Sequence, residues 1–248
     1  MKSLLKIECL SKNFGGLPAV SEVDLSVKLG DIHCVIGPNG AGKSTFFNLI
    51  SGELKPSAGN VYFKGINITG ISPHKLPKLG ISRCFQITNV FPKLTIFQNI
   101  WSAVFAKSNN GILSFLGKFK DYPELENHTH KIIEDVGLSH KTYAKAEELS
   151  HGQQRMLEVA ITIAASPELI LLDEPTQGLA PEATKEMTKL IKGLSGKYTI
   201  LLIEHKMHLV MEISDLISVL SFGKIIDEGT PEKIKNSSIV QDAYLGRR

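Results

Sequence analysis

The chain has only three cysteines in 248 residues, Cys9, Cys34 and Cys84, which are odd in number, far apart and without any CxxC pair. That pattern suggests neither a disulfide framework nor a cysteine-held zinc, and a reducing compartment is the simpler expectation. Long hydrophobic runs are missing as well. The stretch "MKSLLKIECLSKNF" is broken by Lys6, Glu8 and Lys12 before an apolar signal core can form. No later run approaches the roughly 18 apolar residues of a membrane span, so a cytoplasmic chain is expected. Neither sign of charge dominates: 28 basic against 25 acidic residues leave +3, too mild an excess to indicate nucleic acid. No internal repeat and no long low-complexity tract interrupts the sequence. What remains is 42% apolar and 21% charged, ordinary for a globular protein of one or two domains with a full core.

The apolar pattern changes character along the chain. Up to about Phe63 it is strand-like, in "LLKIE", "AVSEVDLSVK" and "DIHCVIG", with one helix at "FFNLIS" after a glycine-rich turn. Turn residues and the short strand "GISRCF" follow. From about Gln86 to Ala164 the chain is mixed and more helical, with "LTIFQNIWSAVFA" and "PELENHTHKIIEDVGL". Strands return after Pro167 as "LILLD", "YTILLIEH", "LISVLS" and "KIIDEG". Helices are expected at "PEATKEMTKLIKGL" and, as one element, at "PEKIKNSSIVQDAYL". Fully apolar strands alternating with helices imply an α/β fold with a mainly parallel sheet covered on both faces. The helical middle reads as an insertion into it.

Chemistry concentrates in three stretches. Residues 37–44, "GPNGAGKS", fit G-x-x-x-x-G-K-[ST] at every fixed position, directly after the strand "HCVI" and before a helix. Glycines there let backbone N–H groups close around a phosphate chain, and the helix start adds a favourable dipole. Lys43 would reach the β- and γ-phosphates and the Ser44 hydroxyl would ligate Mg²⁺. "LILLDEP", residues 169–175, ends an apolar strand in two carboxylates. Asp173 suits the magnesium, and Glu174 is placed to orient or deprotonate an attacking water. "EELSHGQQRMLEVA", from Glu147, opens an amphipathic helix on a small-polar-glycine run, yet carries no lysine for a phosphate and no nucleophile with its base.

These motifs resemble the ATP-binding cassette family over nearly the whole chain and in the family's order: the phosphate loop, the glutamine of "RCFQ", the signature "LSHGQ", "LILLDEP", and the histidine of "LLIEH". The resemblance implies a RecA-like P-loop NTPase core with antiparallel β strands at its N-terminal side and an inserted α-helical subdomain. The core would comprise residues 1–86 and 165–248, and the helical subdomain, with the signature, residues 87–164. It makes Glu174 and His205 catalytic with Lys43, and gives ATP to Gly37, Pro38, Asn39, Gly40, Ala41, Gly42, Lys43, Ser44 and Thr45. Gln86 becomes a magnesium- and water-sensing residue beside Ser44 and Asp173. Phe14, in "NFGG", aligns with the aromatic that stacks on adenine, with Val20 beside it. From a second cassette, Ser150, His151, Gly152 and Gln153 would face the γ-phosphate in trans, Ser150 also capping its helix.

Within the family the likeness is to ATPase subunits of branched-chain amino acid importers, through "FGGLPAV", "GISRCFQ", "FPKLTIFQNI", the segment around "GILSFLGKF" and "GTPEKIKNSSIVQDAYLG". Urea and amide importers have similar subunits, so the solute stays open. The implied partners are integral permease subunits, a second cassette of the same or a sister kind, and, indirectly, an extracytoplasmic solute-binding protein. Nucleic acid is not among them, and the place would be the inner face of the membrane. Two departures stand out: His151 where the signature usually has glycine, and Ala180 where an aspartate is common. Other classes fit less well. A GTPase would carry N-K-x-D, and repair or translation cassettes usually carry two cassettes or long coiled coils. A cassette that binds without cleaving is opposed by the presence of Lys43, Asp173, Glu174 and His205. His128, His130 and His208 lack carboxylate or cysteine partners and read as surface residues.

Overall fold

The structure, a computed structural model, describes residues 3–84, 90–108 and 122–245. Its strands are β1 (Ser3–Phe14), β2 (Leu17–Lys28), β3 (Ile32–Ile36), β4 (Ala58–Phe63), β5 (Ile66–Asn67), β6 (Ile81–Cys84), β7 (Leu169–Asp173), β8 (Thr199–Ile203), β9 (Leu216–Ser221) and β10 (Lys224–Gly229). Its helices are α1 (Lys43–Ile50), α2 (Leu76–Leu79), α3 (Ile96–Lys107), α4 (Pro123–Asp135), α5 (His151–Ala164), α6 (Pro181–Leu194), α7 (Met207–Ile213), α8 (Pro231–Lys235) and α9 (Ser238–Leu245). They group into two compact units, Met1–Arg83 with Glu168–Glu174 and Leu194–Arg248, and Cys84–Pro167 with Pro175–Gly193.

The first unit holds two sheets. Six strands run in the order β10-β9-β3-β8-β7-β6, parallel where β3 meets β8 and β9 and where β7 meets β8. β3, β7 and β8 are buried at every residue. Neither face of these strands meets water, so each reads as a mostly apolar run with no polar alternation, interrupted only by His33, Asp173 and Thr199. β10 returns antiparallel on β9 through Phe222 and Gly223, both at positive φ, the backbone that a two-residue hairpin turn requires. The second sheet, β2-β1-β4-β5, is antiparallel. Its long strands are bent by register shifts around Cys9 and Glu22, both with left-handed φ. A single apolar cluster includes Phe46, Phe47, Leu49 and Ile50 of α1 with Leu5, Ile7 and Leu10 of β1 and Leu169 and Leu171 of β7. Burying each such side chain is worth about 1.5–3 kcal/mol, and together they seat α1 at the end of β3.

One expected element divides in two. The helix foreseen over "PEKIKNSSIVQDAYL" stops after Lys235 and restarts at Ser238. Asn236 donates its side-chain amide to Glu232 O at 2.9 Å, and the Ser237 hydroxyl donates to Asp227 Oδ2 at 2.5 Å. These small polar side chains draw the backbone out of the helix, as they do in turns generally.

In the second unit α3 and α5 both begin with reciprocal capping boxes, Thr95 with Gln98 and Ser150 with Gln153. α3 packs on α4 and α5, and the Trp101 ring stacks on Phe105 at 4.7 Å. α6 also belongs here through Gly193, whereas the sequence pattern grouped it with the strands. Its close approach to α5 explains this: a Cβ on Gly152 would lie 2.6 Å from Ala183 Cβ.

Candidate functional site

The glycine loop starts where β3 ends. A Cβ on Gly37 would fall 2.0 Å from Leu220 O, and one on Gly42, which has φ +102, would fall 2.3 Å from Ala19 O. Only glycine fits either place, so the loop lies tightly against neighbouring backbone and turns directly into α1. Ala41 is buried, Pro38 and Thr45 are half-buried, and Asn39, Gly40 and Ser44 are exposed. The Lys43 side chain is folded back along the loop, its Nζ donating to Gly37 O at 2.7 Å and Pro38 O at 3.0 Å. Burial lowers its pKa, while the charges of Glu174 and Asp173 act to raise it. From the far end of the chain, Tyr244 of α9 hydrogen-bonds the Gly37 backbone; burial nonetheless pushes its hydroxyl up to about 12.

Sheet register gathers the rest. Asp173 pairs with Ile203, and Ile203 with Val35. The ends of β7, β8 and β3 therefore share one edge, where open α/β sheets bind ligands. Asp173 is 5% exposed. Its Oδ2 accepts from Arg83 at 2.9 Å, while Oδ1 is buried and has no hydrogen-bond partner among the described residues. Burial raises the Asp173 pKa, against the lowering effects of Arg83 and Lys43. Glu174 follows with φ +48 and donates its N–H to Ile203 O at 3.0 Å. A non-glycine residue in that region carries strain of about 1–3 kcal/mol, and such residues cluster at functional sites. His205 Nδ1 lies 3.9 Å from Glu174 Oε1.

The structure thus brings Lys43, Asp173, Glu174 and His205 together at one sheet edge. Two residues that the sequence reading did not single out support them. Arg83 holds Asp173, and the fully buried Glu204 accepts the backbone N–H groups of His205 and Lys206 at 3.0 and 3.3 Å. Arg83 has no motif signal, since it acts through partners that only the fold supplies, whereas Glu204 acts on the two residues that follow it.

Other expected residues fare differently. Phe14 is 49% exposed, with Lys12 Nζ 5.3 Å from its ring centroid. Val20 is fully buried in the apolar core, on a face of β2 that meets the cluster. Gln86 lies outside the described residues, as does the segment around residues 111–119. In the second unit Ser150 Oγ accepts the Gln153 N–H at 3.3 Å, and Gln153 Oε1 accepts the Ser150 N–H at 3.2 Å. Lys141 Nζ donates to the same Gln153 oxygen at 3.0 Å. Ser150 and His151 are exposed, and Gly152 is buried.

A buried-lysine glycine loop opening a helix, with two acids ending a nearby strand of the same parallel sheet, defines a P-loop nucleotide-binding protein. The family model for ABC transporters matches residues 20–177, and the chain belongs to that family as one of its ATPase cassettes. It is 38% identical, over 98% of both chains, to the high-affinity branched-chain amino acid transport ATP-binding protein LivG of Escherichia coli (strain K12). Among solved structures it is similar to an ATP-binding cassette of an ABC transporter in its ADP conformation. The TM-score is 0.86 at 33% identity, covering 99% of this chain and 100% of that one. It is also similar to a dimeric post-hydrolysis state of an ATP-binding cassette bound to ADP and phosphate. There the TM-score is 0.76 at 26% identity, covering 92% and 98%. No described helix is long and apolar enough to cross a membrane.

Proposed function

We propose that this cassette hydrolyses Mg²⁺-ATP to drive an importer of branched-chain amino acids, docked on permease subunits at the inner face of the membrane. The observation that carries the catalytic part is the buried Asp173 Oδ1, with no hydrogen-bond partner among the described residues, beside Lys43 and Glu174. A buried carboxylate oxygen without a partner is costly, and a hard cation or its bound water satisfies it. The donor set fits magnesium, which prefers carboxylate, hydroxyl and water oxygens; Asp173 and Ser44 would hold it, with Gln86 a further candidate. Magnesium supplies charge neutralisation at the β- and γ-phosphates.

The chain's own groups divide the remaining work. Backbone N–H groups of residues 39–45 cradle the phosphates, and Lys43 exchanges its loop carbonyls for phosphate oxygens. Glu174 accepts the proton of the attacking water, and His205 contacts the terminal phosphate. Phe14, half exposed, offers a face to adenine. The N-terminus of α5 from a second cassette completes the site, so ATP holds the dimer closed and its cleavage releases it. The solute class rests on the likeness to LivG along 98% of the chain.

Glu174→Gln tests the chemistry. Turnover should fall by about 10²–10⁴-fold, the usual share of a general base, while an ATP-bound dimer accumulates on size exclusion. Undiminished turnover would remove Glu174 from its role. Co-purification from membranes tests the transport assignment: integral subunits should accompany the chain and, with their extracytoplasmic binding protein, identify the solute. A partner-free protein recovered from the cytosol would overturn it.

A further inference from the structure

We infer that Arg83 is a positioning residue for the nucleotide's metal, fixing one oxygen of Asp173 so that the other is presented to magnesium. The inference rests on the Mg²⁺-ATP reading of the site. Arg83 lies on β6 with only 10% of its side chain exposed, and the Asp173 side chain is 4% exposed. One guanidinium nitrogen, Nη2, donates to Asp173 Oδ2 at 2.9 Å. The other, Nη1, donates to Asn48 Oδ1 at 2.8 Å and to Ser51 Oγ at 2.6 Å, and the group lies 6.0 Å from the centroid of the Phe47 ring. Asn48 and Phe47 belong to α1, the helix whose first residues are Lys43 and Ser44, and Ser51 is its C-cap. A single planar group therefore ties the acid at the end of β7 to the helix that carries the phosphate-binding residues.

A buried carboxylate oxygen left without a partner costs stability, so stability alone does not account for the arrangement. Here Arg83 takes Oδ2 alone, and Oδ1 stays buried with no hydrogen-bond partner among the described residues. The rotamer that leaves Oδ1 available is the one that the Arg83–Asn48–Ser51 bonds select. Lysine could supply the charge but not the fork, because one ammonium cannot span the carboxylate and the helix in this geometry. Outer partners of this kind typically govern metal affinity by 10–100-fold.

The test measures ATP binding against free Mg²⁺ concentration, and ATP binding in EDTA, for the wild type, Arg83→Met and Arg83→Lys. Arg83→Met should need about 10–100-fold more Mg²⁺ for half-maximal binding, with ATP affinity in EDTA unchanged. Arg83→Lys should recover part of that shift. A general structural loss would lower both affinities together and overturn the inference, as would an unshifted Mg²⁺ dependence in both variants. Should Arg83→Met not fold, Arg83→Lys decides by the same measurement, a shift supporting the inference and none overturning it. A wild-type protein whose ATP binding ignores Mg²⁺ would instead overturn the nucleotide reading itself.

Discussion

His33 carries a titration that the fold has displaced. Its side chain is 1% exposed, Nε2 is 2.7 Å from Ser218 Oγ of β9, and Ser218 donates to Glu228 Oε2 of β10 at 2.6 Å. Burial lowers its pKa to about 4, against a hydrogen bond to the Ser26 backbone that favours the charged ring. Glu228 is 3.9 Å away, too far to restore the charge alone. In the unfolded chain the ring takes a proton near pH 6.5. The folded state therefore binds fewer protons between pH 6.5 and 4, and stability is lost as pH falls through that window. The difference amounts to about 3 kcal/mol. Asp31 and Asp173 have pKa values raised by burial, so protonating them favours the fold and works in the opposite direction. Urea unfolding at pH 7, 5.5 and 4.5 should show His33→Gln losing much less of its stability on acidification than wild type. Parallel pH profiles would mean that the imidazole does not set the slope.

The elements differ in how much of themselves the sequence discloses. β3, β7 and β8 were legible because each is buried on both faces and reads as a mostly apolar run. The phosphate loop was legible because Gly37 and Gly42 answer to neighbouring carbonyl oxygens that no side chain tolerates. The bends of β1 and β2 at Cys9 and Glu22 were not, since neither residue type announces a left-handed φ. Division of the last helix into α8 and α9 turned on an acceptor outside it, Asp227. Arg83 was invisible as a positioning residue for a related reason. Its partners Ser51, Asn48 and Asp173 lie 32, 35 and 90 residues away in sequence, and no local spacing encodes such a constellation. The burial of Val20 was not legible, because an apolar residue near a loop fits a base-stacking surface and a core equally well until the strand's facing is known.

At the scale of the whole molecule, the proposed pairing of two cassettes gives the start of α5 an anion from another chain to meet. In α5 the Gln153 N–H is already taken by Ser150 Oγ, which leaves the N–H groups of His151 and Gly152 as open donors at a positive helix end. In the proposed dimer a head-to-tail pair would use them, each site being built from one chain's Lys43 and the other's Ser150. Such an arrangement has a consequence that a site within one chain lacks. Lys43→Ala alone and Ser150→Arg alone each damage both sites of a homodimer, so neither variant should hydrolyse ATP. Mixed in equal amounts, half of the dimers contain one of each. In those, one site combines both lesions and the other combines an intact Lys43 with an intact Ser150. Turnover should return to about a quarter of the wild-type rate, from half the dimers working with one site of two. Ser150→Arg also removes a helix cap worth about 1 kcal/mol, so its fold is verified by thermal melting before mixing. If the signature served the phosphate loop of its own chain, no mixed dimer would own an intact site and the mixture would stay as inactive as its components.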